Sequence, residues 1–317
     1  MRKSVALSLV GSAVGTAVAV GWQRHKARNA KLPCADRQGR TALITGASSG
    51  IGAEYARQLA ERGYNLVLVA RREAQLATLA DELRAANRIQ VEVLVADLSV
   101  REDVDGVVER IQNMPDLALL INNAGFGTVG RFVSKDPQSQ VDMAELHVVT
   151  TTRLTHAALP GMLARGCGGI INVSSVAAYL AAPGNAMYAS TKAWMITFSQ
   201  ALAREVEGTD VRVQCLLPGY TYTEFHDRPE FRGFKRSSIP GILWLSANDL
   251  VAESLQDLAI GSGISIPGAI YSLGFRVLKG ILPPVLYDMP MDVVLRWRAN
   301  LIHRASTGAE AATDIAP

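Results

Sequence analysis

The 317-residue chain has little cysteine, no internal repeat and no low-complexity tract. Its three cysteines, Cys34, Cys167 and Cys215, are odd in number and widely spaced, and they match neither a metal-ligand nor a redox pattern. We therefore expect no metal site, and a reduced, cytosol-facing compartment rather than a disulfide framework. Hydrophobic residues make up 49% and charged residues 19% of the chain, which is typical of a globular protein with a large apolar core.

Acidic residues are absent before Asp36, whereas six basic residues precede it. Removing these six charges from the overall +3 leaves the remainder of the chain at −3. The basic balance is therefore a property of the N-terminal segment, and it does not indicate a nucleic-acid-binding surface.

The same N-terminal segment contains 18 consecutive residues without a charge, from Val5 to Trp22. This length is close to the minimum for spanning a bilayer, so we expect residues 1–35 to form an uncleaved membrane anchor. A signal peptide cleaved near Ala17–Ala19 and an organelle targeting peptide are the alternatives. More basic residues follow the apolar run than precede it, which places the body of the protein on the cytoplasmic side. A soluble cytoplasmic protein is the alternative localisation.

From residue 39 onward, short apolar runs alternate with longer amphipathic ones. The apolar runs are rich in Val, Ile and Leu and do not alternate with polar residues, as expected of strands buried on both faces. The predicted strands are Thr41–Thr45, Asn65–Ala70, Val91–Ala96, Leu117–Asn122, Gly169–Val173, Val211–Leu216 and Ile264–Ile266. The predicted helices are Ile51–Arg62, Glu73–Ala86, Arg101–Gln112, Val141–Arg165, Tyr188–Glu205 and Ala247–Ala259. This order predicts an α/β fold with one doubly wound parallel sheet of about seven strands.

Two later stretches break this alternation. Residues 223–246 are rich in aromatic and turn-forming residues, and we expect them to form a lid over the substrate. Residues 268–317 form a C-terminal extension whose first part, Tyr271–Leu286, is apolar and basic. That part is expected either on a membrane surface or as a helix packed against the body of the protein.

A glycine-rich turn follows the first predicted strand, in the sequence TGASSGIG. Glycine at positions 46, 50 and 52 permits a positive φ and lets the backbone come close to a bound molecule. Because a helix follows directly, its N-terminal N–H groups are suited to binding a pyrophosphate.

The sequence YASTK places Tyr188 and Lys192 four residues apart in a predicted helix. Residues at this spacing lie on one face, so the phenol and the ammonium are expected to share one space. A nearby positive charge favours the phenolate, so we expect Lys192 to lower the pKa of Tyr188 toward neutrality.

Five motifs occur in order along the chain: TGxxxGIG, NNAG, SS, YASTK and PG. Together they resemble the short-chain dehydrogenase/reductase family, and the resemblance covers residues 39–267. It implies a Rossmann-like nucleotide-binding domain, to which we assign residues 36–267, with helices on both faces of the sheet.

The resemblance implies roles for particular residues. Tyr188 would be the general acid or base, and Lys192 would lower its pKa and hold the nicotinamide ribose. The family serine lies thirteen residues before the tyrosine, which selects Ser175 over its neighbour Ser174. The family asparagine is replaced here by His147, which either takes over its hydrogen bonds or is a packed helix residue.

The resemblance also implies an NADP-binding site. The second strand ends without an acid and is followed by Arg71, which favours the 2′-phosphate of NADPH over the 2′-hydroxyl of NADH. Asp97 matches the residue that reads the adenine edge, with a helix cap as the alternative, and Asn123 lines the cofactor. The other expected cofactor contacts are Gly46, Ser48, Ser49, Gly50, Ile51, Gly52, Tyr188, Lys192, Pro218, Gly219, Thr221 and Thr223.

These features predict an NADP-dependent oxidoreductase that interconverts a carbonyl and an alcohol. The membrane anchor and the apolar lid suggest a lipophilic substrate of steroid, retinoid or fatty-acyl type. A non-catalytic NADP-binding scaffold or sensor is the alternative. The resemblance implies a homo-dimer or homo-tetramer through the Val141–Arg165 and Tyr188–Glu205 helices, and no nucleic-acid partner.

Overall fold

The structure is a computed structural model and describes residues 30–180, 182–227, 231 and 235–281. The apolar run Val5–Trp22 lies outside these residues, as does the chain after residue 281. Among the helices that the structure describes, none combines the length and apolar character needed to cross a bilayer.

The described residues contain nine strands, which form two sheets. The strands are β1 (Thr41–Thr45), β2 (Asn65–Ala70), β3 (Val91–Val95), β4 (Leu117–Asn122), β5 (Gly168–Val173), β6 (Val211–Leu216), β7 (Tyr220–Tyr222), β8 (Trp244–Ser246) and β9 (Ile264–Ser265). Seven of them form a parallel sheet in the order β3-β2-β1-β4-β5-β6-β9, and β7 pairs with β8. The predicted doubly wound sheet is confirmed.

Helices cover both faces of the large sheet. They are α1 (Gly50–Glu61), α2 (Glu73–Ala86), α3 (Arg101–Gln112), α4 (Pro137–Ala144), α5 (Thr151–Arg165), α6 (Ala186–Glu205), α7 (Ala247–Ala259) and α8 (Ala269–Ile281). Side chains of α1, α2 and α7 form one core with the sheet, and those of α3, α5 and α6 form the other. Within β1, Ala42 and Ile44 belong to the first core and Leu43 to the second, so burial on both faces requires an apolar residue at every position.

The predicted helix Val141–Arg165 is not continuous. The structure has α4, then a wide π-helical stretch over Glu145–Thr150, then α5. A π-helix inserts an extra residue into the helical turn and occurs frequently at functional sites. His147 lies in the middle of this stretch.

The two-stranded sheet β7–β8 was not predicted. Strand β7 follows β6 after three residues, and β8 ends the expected lid. Tyr220 pairs with Trp244 and Tyr222 with Ser246, which ties the two ends of the lid together. Between the strands, the described residues of the lid form short 3₁₀ turns.

The expectation of three reduced cysteines differs from the structure. Cys34 and Cys167 form a disulfide, with Cα atoms 5.7 Å apart, and Cys215 is free and buried. The residues around Cys34 pack at the edge of the sheet where the strands begin, and Pro33 accepts a hydrogen bond from Tyr64. Sequence spacing did not indicate this pair because the two cysteines are 133 residues apart and meet only in the folded chain.

Candidate active site

A cavity of about 400 Å³ opens at the edge of the sheet where β1, β4, β5 and β6 end. In open α/β sheets, ligands bind in the crevice outside the carboxyl ends of the strands. The lining includes the predicted residues Gly46, Ser49, Gly50, Ile51, Asn123, Ser175, Tyr188, Lys192, Pro218, Gly219, Thr221 and Thr223. The fold therefore brings most of the sequence-predicted site residues to one place.

The glycine turn forms one wall of the cavity. Gly46 has a φ of +65°, and a Cβ on Gly52 would lie 2.3 Å from the carbonyl oxygen of Gly46, so neither position accepts a larger residue. The Asn123 side chain donates to the Thr45 carbonyl at 2.8 Å and so holds the end of β1. The Ser49 side chain does not cap α1, and Gly50 and Ile51 present the start of that helix to the cavity.

Three polar residues meet at the opposite wall. Tyr188 is hydrogen-bonded to Ser175, and the Lys192 Nζ atom lies 5.7 Å from the centre of the Tyr188 ring. Lys192 is 4% exposed and donates to the carbonyl of Val173 at 2.8 Å. Ser174 instead donates to the backbone carbonyl of Lys192 at 2.7 Å, so the structure places Ser175 and not Ser174 beside the phenol.

The charge states at this wall differ from the expectation. Burial raises the pKa of Tyr188 to about 12, against the opposing effect of its hydrogen bond with Ser175. Burial also lowers the pKa of Lys192 to about 7. Attraction between the two groups favours their charged forms, but desolvation disfavours both charged forms and is the larger effect at this wall.

His147 is fully buried next to this wall, at a ring-centre distance of 6.0 Å from Tyr188. Its Nε2 accepts a hydrogen bond from the backbone N–H of Phe126 at 3.3 Å. Its proton therefore lies on Nδ1, which donates to the Thr191 hydroxyl at 2.9 Å. Burial, helped by the charge of Lys192, holds the pKa of His147 well below 6.5, so the ring is neutral at pH 7.

The two arginines after β2 lie in different environments. Arg71 is exposed and pairs with Asp97 at 3.4 Å. Arg72 lies across the glycine turn, where it donates to the hydroxyls of Ser48 at 3.1 Å and Ser49 at 2.5 Å. It also pairs with Glu224, at the start of the lid, at 3.1 Å. Both arginines follow a strand that ends without an acid, but the predicted cofactor contacts include Arg71 and not Arg72.

Asp97 does not cap α3, whose first flanking residue is Val100. Its carboxylate accepts from the backbone N–H and the hydroxyl of Ser99, at 3.0 and 2.7 Å. Burial opposes ionisation, but these hydrogen bonds and the charge of Arg71 lower the pKa of Asp97. Asp97 is therefore ionised at the ends of β2 and β3, outside the main cavity.

The lid contributes fewer apolar residues to the cavity than expected. Phe225 and Phe231 line it, with ring centres 5.0 Å apart. Trp244 is buried under Tyr222, and Ile242 is 74% exposed. Phe234, another aromatic residue of the lid range, lies outside the described residues.

Two curated relatives each match a little more than half of the chain. Sulfoacetaldehyde reductase 2 of Chromohalobacter salexigens is 36% identical over 191 residues, which cover 58% of this chain and 73% of that protein. Inactive hydroxysteroid dehydrogenase-like protein 1 of Homo sapiens is 30% identical over 187 residues, which cover 58% of this chain and 57% of that protein. The match thus spans little more than half the length of the human relative.

Solved structures match a larger part of the fold. A short-chain dehydrogenase from Sphingobium yanoikuyae in complex with NADPH has a TM-score of 0.70 and 34% identity, and covers 79% of this chain and 96% of that one. The bulky-bulky ketone specific alcohol dehydrogenase from Comamonas testosteroni has a TM-score of 0.65 and 30% identity, and covers 89% of this chain and 98% of that one.

The family description that matches this chain is that of the short chain dehydrogenases, and the match covers residues 40–230. It includes the glycine turn, the serine, tyrosine and lysine of the cavity wall, and the strand that leads into the lid. The chain therefore belongs to the short-chain dehydrogenase/reductase family of oxidoreductases.

Proposed function

We propose that this chain reduces the carbonyl group of a bulky, apolar substrate with NADPH, and that Tyr188 is the proton donor. The observation that carries the proposal is the meeting of Ser175, Tyr188 and Lys192 at one wall of a cavity whose other wall is a glycine turn. A protonated tyrosine, a hydroxyl bonded to it and a buried lysine are the groups that carbonyl reduction requires.

The cofactor fits the glycine turn. The start of α1 faces the cavity, where its N–H groups can bind a pyrophosphate. A Cβ at Gly46 or Gly52 would collide with the Asn123 side chain, so glycine at both positions allows the tight turn that presents the helix start. Arg72 lies over Ser48 and Ser49, where a 2′-phosphate would add a charge-assisted contact. Arg71 is the adjacent residue in the chain. These arginines support NADPH over NADH. When bound, NADPH supplies a hydride to the carbonyl carbon.

The protein groups act on the carbonyl oxygen. Ser175 donates a hydrogen bond that holds this oxygen, and Tyr188 transfers its phenolic proton to it as the alcohol forms. The ammonium of Lys192 stabilises the phenolate that remains. Because the pKa of Tyr188 is about 12, the phenol carries its proton at neutral pH, which suits reduction better than oxidation.

The substrate side of the cavity supports a bulky apolar molecule. Its lining includes Phe126, Val129, Leu180, Phe225 and Phe231. Such a wall holds hydrocarbon surface and leaves the carbonyl as the group that meets Ser175 and Tyr188. Steroid, retinoid and fatty-acyl carbonyls have this character, and the solved relative from Comamonas testosteroni is named for bulky ketones.

Substitution of Tyr188 tests the proposal. Tyr188→Phe should lower kcat for a bulky ketone by about a hundredfold or more, because it removes the proton donor. The dissociation constant for NADPH, measured by fluorescence, should stay unchanged. Tyr222→Phe is the control, since Tyr222 is 52% exposed on β7. Near-wild-type turnover in Tyr188→Phe contradicts the proposal, and a wild-type protein that binds NADPH but reduces no carbonyl supports the scaffold alternative.

Membrane association through residues 5–22 is a separate proposal. It is supported by the uncharged run and the basic residues after it. The described chain before β1 packs at the edge of the sheet where the strands begin. The cavity opens at the opposite edge, where the strands end. Sedimentation of the full-length chain with membranes tests association, and light scattering tests the proposed dimer or tetramer.

A further inference from the structure

Tyr271 lies in the first turn of α8, beyond the part of the chain that matches the family description. Its hydroxyl accepts a hydrogen bond from the backbone N–H of Tyr220 at 3.0 Å. The same hydroxyl donates to the backbone carbonyl of Leu243 at 2.6 Å. A phenol has one proton to donate and lone pairs to accept with, so one group satisfies both backbone atoms.

One of these two backbone atoms lies just before the lid, and the other lies near its end. Tyr220 begins β7, and Leu243 directly precedes β8, whose first residue Trp244 pairs with Tyr220. The Tyr271 hydroxyl therefore adds one more bridge at the beginning of a strand pair only three residues long. So short a pair is marginal by itself, and a bridge at its end limits how far the two strands can separate.

The ring of Tyr271 packs on the turn before β7. A Cβ on Gly219 would lie 2.1 Å from the Tyr271 Cζ atom, so the ring rests directly against the Gly219 backbone. Gly219 and its neighbours Pro218 and Tyr220 line the cavity. Tyr271 itself is not among the lining residues, so the ring supports this wall of the cavity from behind.

We infer that Tyr271 is a positioning residue: its ring supports the Pro218–Gly219 turn, and its hydroxyl joins the two ends of the lid. The role at the cofactor wall rests on the proposed function, whereas the hydroxyl bridge can be tested without it. Loss of the hydroxyl removes its hydrogen bonds with the Tyr220 N–H and the Leu243 carbonyl and lets β7 and β8 open more often. Loss of the ring also removes the support behind Gly219.

Two variants separate the hydroxyl from the ring. Tyr271→Phe keeps the ring against Gly219 and removes the bridge, whereas Tyr271→Ala removes both. Tyr222→Phe, on the same strand pair, is the matched control. Hydrogen exchange followed by mass spectrometry reports on residues 220–222 and 244–246, and fluorescence titration gives the dissociation constant for NADPH.

Tyr271→Phe should speed exchange of residues 220–222 by about fivefold, the ratio expected for one lost hydrogen bond. The dissociation constant for NADPH should rise by about the same factor, and by more in Tyr271→Ala, while Tyr222→Phe matches the wild type in both measurements. Unchanged exchange in Tyr271→Phe overturns the bridge. Faster exchange with an unchanged dissociation constant in both variants overturns the positioning role. If the wild type reduces no carbonyl, the proposed function fails while the exchange result still decides whether the bridge exists.

Discussion

His147 offers the sharpest test of the site, because its two hydrogen bonds hold two parts of the cavity wall together. Its Nε2 accepts from the Phe126 N–H, and its Nδ1 donates to Thr191, whose hydroxyl donates to the Tyr188 carbonyl at 3.0 Å. His147→Leu removes both bonds inside a fully buried region. A buried N–H left without a partner costs about 1–3 kcal/mol, and the lost bond to Thr191 adds about 1 kcal/mol.

We therefore expect His147→Leu to lower the free energy of unfolding by about 2–4 kcal/mol, which corresponds to ~2–4 °C in Tm for each kcal/mol. Turnover should fall as well, because the Phe126 backbone and the helix turn that carries Tyr188 both lose support. His147→Asn should be tolerated, since an amide can accept from Phe126 or donate to Thr191. His156→Leu is the control, because His156 is exposed on the adjoining helix α5.

The pH dependence of stability gives an independent readout. The pKa of His147 is lowered in the folded state, so below pH 6.5 the unfolded chain binds a proton that the folded chain does not. Stability should therefore fall as the pH decreases, by about 1 kcal/mol between pH 6.5 and 5.5. Lys192 and Tyr188 face the ring but largely keep their protons throughout this window.

His147→Leu should lack this acid sensitivity, and His156→Leu should keep it. Denaturant unfolding at pH 5.5 and 6.5 measures the difference. If His147→Leu matches the wild type in stability, turnover and acid sensitivity, the two hydrogen bonds do not hold the wall and the reasoning is refuted.

Three further predictions concern charged and sulfur-containing groups. Lys192→Met should abolish turnover. It should also remove a rise of roughly 2 kcal/mol in the wild-type free energy of unfolding between pH 7 and 9, because above pH 7 the unfolded lysine keeps a proton that the folded one loses. An equal rise in the variant contradicts the lowered pKa. Arg71→Ala and Arg72→Ala should each raise KM for NADPH far more than KM for NADH, because each removes one charge-assisted contact worth about 2 kcal/mol of binding free energy. Equal effects on both cofactors would show that these residues do not contact the 2′-phosphate. Under denaturing, non-reducing conditions one thiol per chain should react with a thiol reagent, and three reactive thiols in the wild type would contradict the disulfide. Cys34→Ser should lower the free energy of unfolding by about 2–5 kcal/mol, because Cys167 loses its disulfide partner.

Several features of the fold were predictable from local sequence. Strands β1, β2, β4 and β6 have the predicted bounds, because a strand buried on both faces must be apolar at every position and turns interrupt such runs. The glycine turn was predictable for a similar local reason, since its φ angle and close backbone approach admit only glycine. The i,i+4 spacing of Tyr188 and Lys192 predicted that they share one helix face, and the family resemblance implied that Ser175 lies beside them.

Other features depended on contacts between distant parts of the chain. The Cys34–Cys167 pair, the contact of Arg72 with the glycine turn, and the packing of Tyr271 on Gly219 join residues that no local pattern connects. The pKa of Tyr188 belongs to the same class. The spacing of Tyr188 from Lys192 is visible in the sequence. The protonation of Tyr188 is set by burial, which exists only once α6, the lid and the strand ends enclose the phenol. Local sequence thus determined which groups meet at the cavity, and tertiary packing decided their charge, because desolvation depends on every element that excludes water from them.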